Sequence, residues 1–186
     1  KRALERNPVK VERWLNDTYP TIAARAKAEG AVIYWGDETA VAEDGHWLRR
    51  YAPARQTPVL AAPSKRHGLS MGSAISNQGL VRFEFIEEAM NTDLFIGFMK
   101  RLIADSSQKV FLILDNLKVH HAKLVTAWLA ERTDQIEVFY LPPYSPEINP
   151  DEYLNRDFKT ELRSSDRAAS KKALLHKAIA FMERLV

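Results

Sequence analysis

Apolar positions along the chain keep two periods, and their alternation lays out the elements. Residues 31–35 and 110–114 are short unbroken apolar runs, and residues 136–141 form a third, nearly apolar one. Runs of that length, rich in Val, Ile and aromatic residues, predict strands buried on both faces. A helical period occupies residues 8–29, with Val11, Trp14 and Leu15 on one face, a break at Pro20, then Ile22 and Ala26, and Gly30 as the stop. Helical spacing returns at residues 92–104 through Leu94, Phe95, Phe98, Leu102 and Ile103, with Thr92 placed to cap, and again at 122–132 through Leu124, Val125, Trp128 and Leu129. Leu154, Phe158 and Leu162 mark a helix starting near Pro150, and a last one covers about 170–185. Between residues 40 and 86 only strand-like pieces fit, at 47–51, 57–62, 69–76 and 80–86, broken by Pro53, Pro58, Pro63 and Gly68. Asn77-Gln78-Gly79 joins the last two as a hairpin, so this part is antiparallel.

The order is therefore antiparallel strands, then helix, strand, helix, strand, helix. It predicts an α/β domain with a mixed five-stranded sheet, antiparallel over its first three strands and parallel afterwards, flanked by helices. The ribonuclease H-like fold has this architecture. No repeat or linker divides residues 1–186, so a single domain is expected, with residues 1–30 as a helical lead-in.

Composition narrows the chemistry. At 46% hydrophobic and 27% charged residues the chain is an ordinary globular one, and its net charge of +3 leaves room for a polyanionic partner without demanding one. With no Cys there is no disulfide framework or thiolate site, so a metal here needs carboxylates or imidazoles. The apolar runs are too short for a membrane span, and no signal-peptide core opens the chain, which points to an intracellular, cytoplasmic protein. A start at Lys1 is expected for part of a longer protein.

Two acids follow apolar strands: Asp37 after residues 31–35 and Asp115 after residues 110–114. Each alone could begin a turn. If the strands are neighbours, two carboxylates that close must share a cation or a proton. A third acid lies after the Pro142, Pro143 and Pro146 loop, where Asn149 suits an N-cap, Pro150 the first helical position and Glu152 the closing position of a capping box. Asp151 shares the helix face of Leu154 and Phe158 while Glu152 lies to the side, and periodicity alone leaves open which of them joins the aspartates.

Three blocks carry a family resemblance: Trp35-Gly36-Asp37-Glu38-Thr39, then Leu114-Asp115-Asn116 with His120, and Pro143-Tyr144-Ser145-Pro146-Glu147-Ile148-Asn149-Pro150-Asp151-Glu152-Tyr153-Leu154. Together they resemble the DDE transposases of the mariner superfamily, in its bacterial insertion-sequence branch. The resemblance implies Asp37, Asp115 and Glu152 as catalytic, metal-binding acids, with Mg²⁺ or Mn²⁺ as cofactor and two ions per site. It implies DNA cleavage at transposon ends and 3′-hydroxyl strand transfer into target DNA, by a homodimer working in the bacterial cytoplasm or nucleoid. It also implies helix-turn-helix modules ahead of the catalytic domain, and no such pattern occurs in this chain. The acid at Asp151 departs from the family's pattern, where an apolar residue is common.

Asn116 and His120 are candidates to position substrate or water, and Arg49, Arg50, Lys65, Arg66, Lys118 and Lys123 are candidate DNA contacts. Tyr144 and Ser145 lack a partner base and make poor nucleophiles. Competing readings are a ribonuclease H-like nuclease or resolvase without strand transfer, an inactive DNA-binding derivative, and a phospho-accepting signalling domain. The last requires βα alternation from the first strand, which residues 40–86 do not provide.

Overall fold

The computed structural model describes residues 5–42, 53, 68–86, 89–164, 168 and 170–186. The strand-like pieces at 47–51 and 57–62 lie outside the described residues, as do Arg49, Arg50, Lys65 and Arg66.

Helices α1 (Pro8–Arg13) and α2 (Tyr19–Glu29) are joined through a π turn, Trp14–Thr18. Pro20 does not end the helix here, because the missing proline N–H is accommodated in one wide turn where the Tyr19 N–H reaches the Trp14 carbonyl. Gly30 closes α2 in the left-handed conformation at φ 64°. Val11 and Trp14 are buried as expected, but Leu15 stands 43% exposed. Trp14 takes the seat against the sheet, its indole Nε1 donating to Tyr140 O at 3.0 Å.

The strands are β1 (Val32–Ala42), β2 (Gly68–Ser76), β3 (Val81–Ile86), β4 (Val110–Leu114) and β5 (Ile136–Tyr140), in the order β3-β2-β1-β4-β5. β1 pairs antiparallel with β2, and β2 with β3, while β4 lies parallel to β1 on one side and to β5 on the other. The expected mixed ribonuclease H-like sheet is therefore the one observed, with β1 at its middle. All five residues of β4 are buried, as an unbroken apolar run predicts for a strand covered on both faces.

Alternation along the strands sorts the core into two layers. Val32 and Tyr34 of β1 join Leu112 and Leu114 of β4 under α3 (Thr92–Ala104) and α4 (Lys123–Ala130). Ile33 and Trp35 face the other way with Phe111 and Ile113, covered by Trp14, Ile22 and Ala26. Further along that second face, α5 (Asp151–Ser164) and α6 (Lys171–Met182) seat Leu154, Phe158 and Leu174 against Val41, Leu69 and Met71. The cap of α3 is Asn91, one residue before the expected Thr92, with its side chain accepting from the N–H groups of Asp93 and Leu94. Asn caps at least as well as Thr because its carbonyl reaches two of the orphan donors. Among the described residues no helix is long and apolar enough to cross a membrane.

Candidate active site

β1 outruns its parallel neighbour, and this mismatch makes the site. Pairing of β1 with β4 stops at Trp35–Ile113, whereas pairing with β2 continues through Asp37–Ser73 to Ala42. Asp37 is thus inside a long strand rather than at its exit. On the β4 side it stands beyond the neighbour's end, where Asp115 is the first residue after Leu114. Gly36 lets the two strands close up at this point, since a Cβ there would meet Leu114 Cδ2 at 2.9 Å and Ser73 O at 3.3 Å.

Asp37 is held by two donors. The Glu38 N–H gives to Oδ1 at 2.8 Å and Asn155 Nδ2 gives to Oδ2 at 2.9 Å. Burial, then the charge of Glu152, push its carboxyl up to about 6 despite those two hydrogen bonds, and Asp115 adds to the rise. Asp115 is more open, with a side chain 40% exposed. Its Oδ1 accepts from the Leu117 N–H at 3.3 Å, forming an Asx turn. Behind it His120, 5% exposed and packed 4.6 Å from the Phe95 ring, brings Nδ1 within 3.1 Å of Asp115 O and 3.3 Å of Asp115 Oδ1. Asn116 lies on the other side, donating from Nδ2 to Leu141 O at 3.1 Å, with its Oδ1 2.7 Å from His121 Nε2.

The proline loop delivers α5 to this edge. Buried Ser145 donates its hydroxyl to Pro142 O, and Tyr144 adopts a left-handed backbone at φ 58° with its ring exposed. Asn149 has two tasks. Its Oδ1 accepts from the Asp151 N–H at 3.0 Å, capping the helix, and its Nδ2 donates to Gly36 O at 3.1 Å, fastening the helix start to β1 beside Asp37. The reciprocal half of the expected capping box is absent, because the Asn149 N–H is taken by Pro146 O at 2.9 Å. Glu152 therefore leaves its carboxylate to the cavity that Asp37 and Asp115 also line, a space of about 810 Å³ bordered by Asn116, Lys118 and Tyr144. The start of α5, its positive end, borders the same space through Asn149 and Glu152. Lys123, at the start of α4, is exposed and does not line it. Among the described residues no three His, Asp or Glu side chains converge into a ready-made cage for a single ion.

Asp151 turns away from the cavity. It is fully buried, its Oδ2 accepting from Ser73 Oγ at 2.6 Å, and burial pushes its carboxyl up to about 8, opposed by the Ser73 bond and reinforced by the charges of Asp37 and Glu152.

Residues 32–175 match the DDE superfamily endonuclease family. The chain belongs to that family. A relative of this DDE domain, the insertion element IS630 uncharacterized 39 kDa protein of Shigella sonnei, is 34% identical over 92 residues, covering 48% of this chain and 26% of that protein. The Mos1 transposase paired-end complex with left transposon end superposes at a TM-score of 0.70 and 21% identity, over 100% of this chain and 57% of that one. The catalytic domain of Mos1 mariner transposase superposes at a TM-score of 0.63 and 18% identity, over 97% and 83%. At these identities the structural likeness is one of fold. The DDE domain spans about a quarter of the curated relative and somewhat over half of the transposase in the paired-end complex.

Two residues of this DDE domain emerge only in three dimensions. Ser73 is found by its register opposite Asp37, and Asn155 by its place on the buried face of α5. The one available signal was a polar residue four positions after Asp151, in phase with Leu154 and Phe158.

Proposed function

We propose that the chain is the catalytic part of a transposase, cutting DNA at transposon ends and joining the freed 3′-hydroxyl to target DNA. The observation that carries this reading is that Asp37, Asp115 and Glu152, from β1, the end of β4 and the start of α5, line one cavity in a DDE superfamily endonuclease. The superposed transposase complexes, a paired-end complex with left transposon end among them, support DNA as the partner. A homodimer acting on paired ends, working at the bacterial nucleoid, is part of the same proposal.

The donor set fits hard divalent cations. It offers only oxygen from three carboxylates, and burial together with the charge of Glu152 raises Asp37 to about 6, a load that a cation relieves. Asp37, Asp115 and Glu152 would hold Mg²⁺ or Mn²⁺, two ions per site in this proposal. Such ions would activate the attacking oxygen and neutralise the leaving oxygen of an in-line phosphoryl transfer.

The chain's own residues fix the rest of the geometry. His120 holds Asp115 from behind, the Asn149 bridge holds α5 against β1, and the α5 N-terminus favours a phosphate in the cavity. Lys118 at its rim contacts a flanking phosphate and Lys123 a more distant one in this proposal, and Asn116 borders the space where water or a 3′-hydroxyl attacks phosphorus as the opposite oxygen leaves. Arg49, Arg50, Lys65 and Arg66 are further DNA contacts in this proposal.

The test is a nicking and joining assay on labelled duplex with Mg²⁺ or Mn²⁺. Metal-dependent nicking followed by covalent joining of a 3′-hydroxyl oligonucleotide is the expected result. Nicking without joining would leave a ribonuclease H-like nuclease, and full activity of Glu152→Gln with loss in Asp151→Asn would overturn the third acid.

A further inference from the structure

Helix α5 presents a buried stripe of Asp151, Leu154, Asn155 and Phe158, at 0%, 9%, 1% and 0% exposure. The stripe is apolar where it packs on Leu69, Met71 and Val81, and polar only where it passes Asp37. Burying an amide is costly unless its groups are matched, and here the cost is not fully offset, because Asn155 Oδ1 and Asp151 Oδ1 have no hydrogen-bond partner. The amide's oxygen therefore gives the fold nothing. What Asn155 does provide is a donor, Nδ2, placed 2.9 Å from Asp37 Oδ2 and 3.4 Å from Asp151 Oδ2. Asp151 is in turn held by Ser73 Oγ at 2.6 Å, and Ser73 is the β2 residue in register with Asp37. A closed ring of contacts therefore runs from β1 through α5 to β2 and back to β1.

We propose that Asn155 is a positioning residue that fixes the Asp37 carboxylate for divalent-cation binding, with Ser73 and Asp151 fixing Asn155. The proposal rests on the reading of Asp37, Asp115 and Glu152 as a metal site. The Glu38 N–H orients Asp37 Oδ1 and Asn155 orients Oδ2, so the carboxylate plane is set before a cation arrives and each oxygen keeps a lone pair for it. Outer hydrogen bonds of this kind are worth about 10–100-fold in metal affinity.

The experiment is Mn²⁺ titration of the full chain by calorimetry, with metal-free melting temperature measured in parallel. Wild type and Glu152→Gln test the site itself. Asn155→Leu, close in size and free of the unpartnered oxygen, and Ser73→Ala test the positioning. Expected is Mn²⁺ binding by wild type, its loss in Glu152→Gln, an affinity about tenfold weaker in Asn155→Leu at a temperature where its melting curve shows it folded, and a smaller weakening in Ser73→Ala. Unchanged Mn²⁺ affinity in Asn155→Leu, with wild type binding normally, overturns the positioning role and leaves the metal site standing. Failure of wild type to bind Mn²⁺ overturns both. If Asn155→Leu does not fold, Asn155→Ser decides in its place: affinity equal to wild type in that shortened side chain counts against the proposal.

Discussion

Asp151 and Glu152 are neighbours in the chain with opposite surroundings, one sealed under Ser73 and Asn155 and the other lining the cavity. Helical phase separated them in the sequence, but a phase says which side chain faces the sheet and nothing about which one chemistry uses. Asp37→Asn, Asp115→Asn and Glu152→Gln are each expected to lower metal-dependent cleavage by more than about a hundredfold, the loss already reached by disturbing outer contacts to a metal ligand. Asp151→Asn is expected to keep most of it in the same assay. The half-buried Asp37 and the buried Asp151 also set a pH dependence for the metal-free protein. Both have folded-state values above the ordinary 3.8, Asp37 at about 6 and Asp151 at about 8, so the folded state holds protons that the unfolded chain releases. Their contribution is fully present below about pH 4 and is lost as pH rises through 6 and then 8. Melting temperature without metal is expected to fall over that window, and Asp151→Asn to flatten its upper part. A curve rising from pH 5 to 8 would contradict the assignment.

At the scale of elements, the site depends on how the start of α5 is fastened. Asn149 was legible as a cap, because Asn before Pro at the first helical position is a local signal. Its bond to Gly36 O was not, since residues 113 positions apart leave no trace in periodicity. Asn149→Ala is expected to cost about 2 kcal/mol, roughly half from the lost cap and half from the carbonyl left unpaired, and to lower cleavage more than stability. Thermal melts and initial rates on one preparation separate the two. Gly36→Ala is expected to cost about 1–2 kcal/mol, because the added methyl meets the buried Leu114 side chain and the Ser73 carbonyl. The length of β1 was also misjudged from sequence, for a related reason. The apolar run ends at Trp35, yet Gly36 to Ala42 stay extended because β2 continues to pair with them. Edge pairing of a polar segment is a property of the partner strand.

At the scale of the molecule, the three acids form a concentration of negative charge whose relief stabilises the fold. Mn²⁺ at about a hundredfold excess over its dissociation constant is expected to stabilise the domain by about 2.7 kcal/mol, roughly 5–10 °C in melting temperature. Chelation should reverse the shift, and Glu152→Gln should abolish it. Absence of any shift in the wild type would count against a metal site in this cavity. The element order, the mixed sheet and the burial of β4 were determined by the sequence alone, because apolar period, chain breakers and strand order act locally and leave few ways to cover both faces of a sheet. Asp37, Asp115 and the acidic pair at 151–152 were legible as acids beside strand ends and a helix start. Only the tertiary structure decided that β1 outruns β4, that Glu152 lines the cavity while Asp151 is sealed behind it, and that Asn155 reaches Asp37. Those outcomes depend on which distant side chains meet when sheet and helix pack, and no local pattern in the chain encodes such meetings.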